Sequence, residues 1–317
     1  MDREGRDMKK IALLFATVLL ILAACAVPAE DSPIDPPVDP PVDPADPPIL
    51  PSEVKCAGIR VSSYGMKDSF GEMPDVGTMS GFAEKMAGCY EGSTGTYLLI
   101  VGTMSGDDCS LNFPVSGDYD HINGSKRDRY EDYLDKFDDM GYSVWLQVEP
   151  GYADLETLVE LVMDRYGHHS CVKGFGIDVE WHKPVDGVEE GTKLTDEIAA
   201  KVLAKLRTYG SNYTLFVKHW DCNWLPSAME GLIYVDDWQY FTSNENAVNV
   251  FSTWASHFAP YPVMFQIGYP ADKAVWGELE NPKGELGAIL AEDVKDDQHV
   301  GIIWVDFSLK TAMKYGK

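Results

Sequence analysis

Short apolar runs recur along the chain from about residue 57 to its end. They are rich in β-branched and aromatic residues, which is typical of strands buried in a sheet. Eight runs predict eight strands: AGIRVSSYG (57–65), TYLLIVGTMSG (96–106), YSVWLQVEPG (142–151), VKGFGIDVEW (172–181), YTLFVKHWD (213–221), GLIYVDDWQ (231–239), VMFQIGYP (263–270) and VGIIWVDFS (300–308).

Helical patterns lie between several of these runs. Their apolar residues recur with the 3.6-residue period of an amphipathic helix, and capping residues mark their ends. The predicted helices are 128–141 with Gly141 as the stop signal, 154–167 between an Asp154 cap and Gly167, 194–210 between a Thr195 cap and Gly210, and 244–258 after the sixth strand.

The alternation of strands and helices predicts a parallel sheet with right-handed crossovers. Eight strands in roughly 260 residues is typical of a (β/α)₈ TIM barrel. The alternative is a doubly wound open sheet, which usually carries a Gly-rich phosphate loop after an early strand. Since the chain has no such loop, we favour the α/β barrel.

The first residues have the layout of an export signal. Four basic residues precede the apolar run IALLFATVLLILAA, and the run ends in LAAC, Leu22–Cys25. This tetrapeptide resembles the lipobox of prokaryotic lipoproteins, which implies cleavage after residue 24 and lipidation of Cys25. We therefore expect an extracytoplasmic protein anchored to the membrane through its lipid alone. An uncleaved signal anchor and an ordinary signal peptide are the alternatives.

A low-complexity stretch follows the lipobox, with a repeating Asp-Pro-Pro unit. Proline fixes the backbone near polyproline II and removes donors, so no core is expected to form here. The predicted organisation is a signal peptide at 1–24, a lipidated Cys25 with a disordered linker at 25–52, and a single barrel domain at 53–317.

The chain has a formal net charge of −25, which makes nucleic acid an unfavourable partner. Five cysteines lie beyond the lipobox, and no two of them form a C-x-x-C pair: Cys56, Cys89, Cys109, Cys171 and Cys222. The sequence does not assign their disulfide pairing, but their odd number leaves at least one thiol free. His168, His169, His182 and His219 form no H-E-x-x-H motif, and no G-x-S-x-G elbow occurs. We therefore expect neither a metal nor a cofactor.

Polar and aromatic residues cluster at the predicted carboxyl ends of the strands, where TIM barrels carry their chemistry. Side chains alternate between the two faces of a strand, which assigns one parity to the barrel interior. The predicted inward positions are Arg60 and Ser62 on the first strand, Trp145, Gln147 and Glu149 on the third, Asp178 and Glu180 on the fourth, Lys218 and Trp220 on the fifth, Tyr234, Asp236 and Trp238 on the sixth, Gln266 on the seventh, and Trp304 and Asp306 on the eighth.

This combination suits a sugar, whose faces are apolar and whose edges carry hydroxyl groups. Glycosidic cleavage also needs two carboxyl groups in different protonation states. On the fourth strand Gly174 and Gly176 precede the acids on the same face, and we expect them to leave room for a ligand. The predicted substrate-binding residues are Arg60, Gln147, Glu149, Lys218, Trp220, Asp236, Trp238, Gln266, Trp304 and Asp306.

Two segments, GIRVSSYG (58–65) and GFGIDVEW (174–181), resemble glycoside hydrolase family 25, the Chalaropsis-type lysozymes. That family opens with a strand of the type G-I-D-V-S-x-x-Q-G and carries a later Asp-x-Glu pair. The resemblance implies peptidoglycan cleavage with Glu180 as the proton donor and Asp178 as its partner, although the first-strand acid falls on Arg60. GFGIDVEWH also resembles the D-G-x-D-x-D-x-E strand of family 18 chitinases, whose catalytic Glu falls on His182.

The leading hypothesis is an exported, lipid-anchored glycoside hydrolase acting on a polysaccharide or peptidoglycan. Glu180 is the predicted general acid/base and Asp178 its nucleophile or electrostatic partner. The remaining acids at the strand ends, Glu149, Asp236 and Asp306, are reserve candidates for the second carboxylate. The alternative is an inactive barrel that binds carbohydrate at the cell surface, because Arg60 and His182 stand where relatives carry acids. A peptidase is a more distant alternative.

Overall fold

The computed structural model describes residues 54–185, 190–294 and 297–314. The predicted signal peptide, the lipobox Cys25 and the Asp/Pro-rich linker lie outside these residues. No helix in the described part of the chain combines the length and apolar character needed to cross a bilayer.

Eight parallel strands close into a barrel, which confirms the predicted (β/α)₈ fold. All strands of the sheet are β1 (Val54–Val61), β2 (Thr94–Ser105), β3 (Asp108–Leu111), β4 (Ile122–Gly124), β5 (Ser143–Val148), β6 (Val172–Asp178), β7 (Thr214–Lys218), β8 (Leu232–Asp236), β9 (Val263–Ile267) and β10 (Val300–Val305). The order around the barrel is β1-β10-β9-β8-β7-β6-β5-β2, and β2 pairs with β1 to close it. The eight barrel strands are the eight apolar runs of the sequence.

Strands β3 and β4 extend the sheet beyond the barrel, and the sequence pattern did not predict them. β3 returns antiparallel along the end of β2, and β4 pairs parallel with β3. Both are short, at four and three residues, and their polar composition hides the period-2 pattern of a buried strand.

Helices cover the outside of the barrel between its strands. They are α1 (Ser63–Phe70), α2 (Val76–Ala87), α3 (Glu131–Met140), α4 (Leu155–Tyr166), α5 (Asp196–Arg207), α6 (Asn244–Phe258), α7 (Lys273–Trp276), α8 (Pro282–Ala291) and α9 (Leu309–Ala312).

The predicted helix signals have clear structural counterparts. Asp154 and Thr195 cap α4 and α5 by accepting the amide N–H groups of Thr157 and Ile198. Gly141 ends α3 in the left-handed conformation at φ 66°. Helix α5 ends at Arg207, so the predicted stop at Gly210 is wrong: the chain leaves the helix three residues earlier.

The barrel interior is a packed core below a polar layer. Apolar side chains from most barrel strands fill its lower part: Leu98, Trp145, Phe216, Ile233, Val235, Met264 and Ile303. The five described cysteines all carry free thiols. Because the lower interior is filled, the space for a ligand inside the described barrel lies at the carboxyl ends of the strands.

Candidate active site

A buried lysine at the end of β7 binds three carboxyl groups. The Nζ atom of Lys218 lies 3.1 Å from Asp178 Oδ2 and 3.2 Å from Glu180 Oε1, and it donates a short hydrogen bond to Asp237 Oδ2. Lys218 is 4% exposed and Asp178 3%. An ammonium group withdrawn from water to this extent requires anionic partners, and the acids supply them.

Asp178 and Glu180 lie in different local structures, although both contact Lys218. Strand β6 ends at Asp178, and Glu180 lies in the 3₁₀ turn Val179–Trp181 that follows. The prediction that both acids stand on one strand face is therefore wrong in detail, since the strand stops three residues earlier than expected. The structure nevertheless brings both acids to one ammonium group.

Asp237 is the member of this cluster that sequence reasoning missed. On β8 the inward side chains are Ile233 and Val235, and Asp237 continues their parity just past the strand end. The predicted inward parity of β8 is wrong, because Tyr234 stacks on Phe258 of α6 with ring centroids 3.8 Å apart. Strand β8 is apolar on both faces, so its pattern gives no orientation.

Asp236 shares the outward parity of Tyr234. Its Oδ1 atom accepts the amide N–H of Trp238 at 2.9 Å, and burial raises the pKa of its carboxyl group well above the usual value. Lys218 has no ion pair with Asp236 in the described part of the chain, in contrast to the adjacent Asp237. The inward placement predicted for Asp236 is thus also wrong.

The protonation states within the cluster differ because three acids share one cation. Burial, followed by the charge of Asp237, raises the pKa of Glu180 to about 9. Burial also raises the pKa of Asp178 to about 7, although Lys218 opposes it. For Asp237 the charge of Lys218 and hydrogen bonds from Glu180 and Lys218 outweigh burial, and its pKa is lowered. At neutral pH Asp237 is therefore ionised and Glu180 holds a proton.

A second ion pair lies between the first and last barrel strands. Arg60 Nη2 stands 3.2 Å from Asp306 Oδ1, and the Arg60 guanidinium lies over the Phe307 ring. The other carboxylate oxygen of Asp306 accepts the Ser62 hydroxyl at 2.8 Å and the Ser62 amide at 2.5 Å. Ser62 in turn caps α1 through Gly65. This network ties Asp306 into the framework of the barrel mouth.

Three further predicted residues lie in the polar layer. Gln147 donates to Asp178 Oδ2 at 3.0 Å, and Gln266 accepts the Tyr269 hydroxyl at 3.1 Å. Glu149 accepts the Met104 amide at 3.0 Å, and burial raises its pKa. Tyr269, which sequence reasoning did not select, is buried and lies close enough to Arg60 and Lys218 for their charges to act on its hydroxyl group.

Trp304 does not reach this layer. Its ring packs against Trp276 of α7 with centroids 5.5 Å apart, and its indole N–H donates to Ser308 at 2.9 Å. The predicted inward placement of Trp304 is wrong, since Ile303 fills the inward position of β10. Asp306 reaches the mouth despite its shared parity with Trp304, because β10 ends at Val305 and a 3₁₀ turn redirects the chain.

An aromatic cleft of about 670 Å³ opens above the carboxyl cluster. The rings of Trp220 and Trp238 lie next to each other, with centroids 5.4 Å apart and planes tilted by 55°. The cleft is lined by Glu180, Trp181, Pro184, Glu190, Trp220, Asp237, Trp238, Gln239 and Tyr240. The proton-bearing Glu180 thus lies at the floor of a groove whose walls carry exposed rings.

Gly174 and Gly176 do not leave ligand space beneath the acids, contrary to expectation. A Cβ atom on Gly176 would lie 2.1 Å from the Phe216 ring, and one on Gly174 would lie 1.8 Å from the Thr214 carbonyl oxygen. Phe216 of the packed core occupies the room that Gly176 provides. The ligand space lies above the acids, in the aromatic cleft.

His182 lies apart from the cluster. Its Nδ1 atom is 2.9 Å from the Thr192 carbonyl oxygen, and burial lowers the pKa of its imidazole. It lines a different cavity together with His121 and Tyr152.

Comparison with solved structures gives distant matches. No protein-family model matches the chain, and no curated protein matches its sequence. An endo-β-mannanase/endo-β-glucanase from Prevotella bryantii matches with a TM-score of 0.44 and 12% identity, over 83% of this chain and 48% of that one. A β-glucuronidase from Parabacteroides merdae matches with a TM-score of 0.44 and 11% identity, over 80% of this chain and 31% of that one. A GH26 β-mannanase from Bacteroides ovatus matches with a TM-score of 0.38 and 11% identity, over 84% of each chain. The chain spans about half the length of the first of these, and at such TM-scores the similarity carries no functional inference.

Proposed function

We propose that the protein is a glycoside hydrolase, with Glu180 as its general acid/base. The observation that carries the proposal is the buried cluster of Asp178, Glu180 and Asp237 around Lys218, two of whose acids, Glu180 and Asp237, line the aromatic cleft. A general acid must hold its proton at the working pH, and burial with an anionic neighbour gives Glu180 that property. Asp178, with its pKa raised to about 7, is the proposed nucleophile or electrostatic partner.

The cleft and the polar layer match the chemistry of a glycan. Rings of Trp181, Trp220 and Trp238 offer faces for the apolar side of a sugar. Several buried polar atoms have no hydrogen-bond partner in the described chain: Arg60 Nε, Gln147 Oε1, Asp178 Oδ1, Asp237 Oδ1 and Gln266 Nε2. Because such atoms are costly to leave unpaired, they favour a ligand rich in hydroxyl groups.

In the proposed reaction the glycosidic oxygen approaches Glu180 Oε2, since Oε1 contacts Lys218. Glu180 donates its proton to that oxygen as the bond to the anomeric carbon breaks. An ionised Asp178 stabilises the positive charge that develops on the sugar ring, or forms a covalent bond to the anomeric carbon. Water then attacks that carbon, releases the sugar from Asp178 where a bond has formed, and gives a proton back to Glu180. Asp237 stays ionised beside Lys218 and keeps the proton on Glu180 in the resting site. Peptidoglycan is the substrate that the family 25 resemblance implies, and export with lipidation at Cys25 is part of the proposal.

A screen of the full-length chain on peptidoglycan, chitin and plant glycans tests the proposal, with released reducing ends as the readout. Glu180→Gln is expected to lower the rate by at least about 100-fold, because the amide cannot donate the proton. Its matched control is Glu230→Gln, an exposed acid in the turn before β8, which is expected to keep the wild-type rate. Wild-type activity in Glu180→Gln would refute the assignment.

The second candidate is a carbohydrate-binding barrel without activity. It is favoured by Lys218, whose ammonium group already binds all three acids and therefore offsets the negative charge that cleavage needs. The presence of Arg60, where the family 25 pattern carries an acid on the first strand, also favours an inactive barrel. Binding of a glycan measured by calorimetry, with no reducing ends released by the wild-type chain, would support this function over hydrolysis.

A further inference from the structure

Two adjacent histidines face a glutamate on the outside of the barrel. His168 and His169 connect α4 to β6, and their Nε2 atoms lie 3.5 Å and 3.7 Å from Glu131 Oε1 on α3. One potential ligand atom from each of the three residues lies within 4.8 Å of the other two. The two imidazole rings are close, with centroids 4.1 Å apart. Three potential ligand atoms thus converge from two elements.

The His169 ring is fixed with an unpaired nitrogen toward this point. Its side chain is 1% exposed, and its Nδ1 atom lies 2.8 Å from Asp138 Oδ2. Because the carboxylate accepts, Nδ1 carries the proton, and in the neutral ring Nε2 keeps a lone pair. That buried Nε2 has no hydrogen-bond partner in the described chain. At 3.7 Å, Glu131 Oε1 is too distant to serve as one.

Glu131 is also held in place. Its Oε2 atom accepts a hydrogen bond from Arg165 at 2.7 Å, and Arg165 is anchored by Asp128 at 2.6 Å. Oε1 is the oxygen left facing the histidines. Arg165 therefore orients Glu131, and Asp138 orients His169. Each does so through the atom of its partner that points away from the other two potential ligands.

We propose that Glu131, His168 and His169 form a binding site for a divalent transition metal of the Zn²⁺ class. Two imidazole nitrogens with one carboxylate oxygen form a known zinc ligand set that leaves a fourth position for water. Bonds of about 2.0–2.1 Å in a tetrahedron separate ligand atoms by roughly 3.3 Å, close to the 3.5 Å and 3.7 Å distances here. The Asp138–His169 hydrogen bond supplies the carboxylate–histidine–metal arrangement that orients such ligands.

The metal would act as a clamp and not in the chemistry of the cleft. His169 precedes β6, whereas Asp178 ends it, and a seven-residue strand spans on the order of 20 Å. The site joins α3 to the α4–β6 connection at the other end of that strand. This inference is therefore independent of the proposed hydrolase activity. It also departs from the expectation of no metal, which rested on local motif spacing, because Glu131 lies 37 residues before His168 in the chain.

Titration of the chelator-treated full-length chain with Zn²⁺, followed by calorimetry, tests the site. The wild type is expected to bind one equivalent, and His168→Ala is expected to bind at least tenfold more weakly. The His168 side chain is 58% exposed, so its removal leaves the fold intact. His257→Ala, an exposed histidine on α6, is the matched control and keeps wild-type affinity.

Two further measurements separate a metal site from a surface ion pair. Co²⁺ loading is expected to give the visible bands of a low-coordinate site in the wild type and none in His168→Ala. Asp138→Asn is expected to weaken Zn²⁺ binding by about 10–100-fold, as for other groups that orient a ligating histidine. Absence of Zn²⁺ uptake by the wild type, or equal uptake by His168→Ala, would overturn the proposal.

Discussion

Lys218 is buried, and an ammonium group in that position keeps its charge only if anions surround it. Burial opposes the charged form, but Asp178, Asp237 and Glu180 outweigh it and raise the lysine pKa well above its usual value. One cation cannot compensate three anions in a dry pocket. The acids therefore divide into an ionised Asp237 and a protonated Glu180, and this division is what the proposed chemistry uses.

Asp237→Asn is expected to lower the pKa of Glu180, because a negative neighbour that favours the protonated form is lost. A ¹³C NMR titration of glutamate carboxyl groups in the full-length chain measures this shift without requiring activity. The Glu180 signal is identified by its absence from Glu180→Gln. If the chain hydrolyses a glycan, the alkaline limb of kcat/KM moves to lower pH, since the acid loses its proton earlier.

Asp164→Asn is the matched control for this titration. Asp164 is an exposed acid on α4 that accepts a hydrogen bond from Tyr209, away from the cleft. The Glu180 signal is expected to titrate as in the wild type. An unchanged Glu180 pKa in Asp237→Asn would show that burial and the charge of Asp178 raise it without Asp237.

At this scale the sequence selected two of the acids that surround Lys218, Asp178 and Glu180, but missed Asp237. The two predicted acids follow a strand with glycines on one face and large apolar residues on the other, so its parity is readable. Strand β8 carries Ile233 and Val235 on one face and Tyr234 on the other, and both faces are apolar. Only the tertiary contact of Tyr234 with α6 decides which face points inward.

Among the elements, β6 shows how two glycines shape the barrel interior. The Phe216 ring of β7 lies over Gly176, and the Trp145 ring of β5 lies beside Gly174. These rings form the floor on which the polar layer rests. The glycines therefore serve core packing, and the depth of the cleft is set by Phe216.

Gly176→Ala is expected to destabilise the chain by about 1–3 kcal/mol, because the new methyl group would lie 2.1 Å from the Phe216 ring. Urea unfolding of the full-length chain measures the change in the free energy of unfolding.

Gly81→Ala is the control, since Gly81 lies within α2 and a Cβ atom there meets nothing within 4 Å. It is expected to stabilise the chain by about 0.5–1 kcal/mol through helix propensity. A neutral Gly176→Ala would mean that the ring moves aside without cost.

Element positions followed from local signals where those signals were strong. The caps at Asp154 and Thr195 and the left-handed Gly141 define helix ends through contacts within a few residues. β3 and β4 are stabilised by pairing with the end of β2, and their own residues carry little strand pattern. The sequence therefore predicts helix ends, which local contacts stabilise, but not β3 and β4, which depend on pairing with β2.

For the whole molecule, the barrel followed from the order of elements together with the lack of a Gly-rich phosphate loop in the sequence. Eight strands with helices between them leave few parallel arrangements, and the β1–β2 pairing closes the sheet as expected. What the order did not give is how side chains from distant strands meet. Lys218 pairs with Asp178 at the end of β6 and with Asp237 just past β8, and Arg60 of β1 pairs with Asp306 just past β10.

At the same scale, the lipobox resemblance predicts that Cys25 decides where the protein resides. In a bacterial host the full-length chain is expected to incorporate labelled palmitate and to enter the detergent phase on phase separation, because two or more acyl chains anchor a protein stably. Cys25→Ala removes the acceptor thiol and is expected to abolish the label. Cys222→Ala, a half-buried thiol of the barrel, is the matched control and keeps it. Since the barrel cysteines are unpaired thiols, labelled palmitate that persists in Cys25→Ala would place lipidation elsewhere, and an unlabelled wild type would refute the anchor.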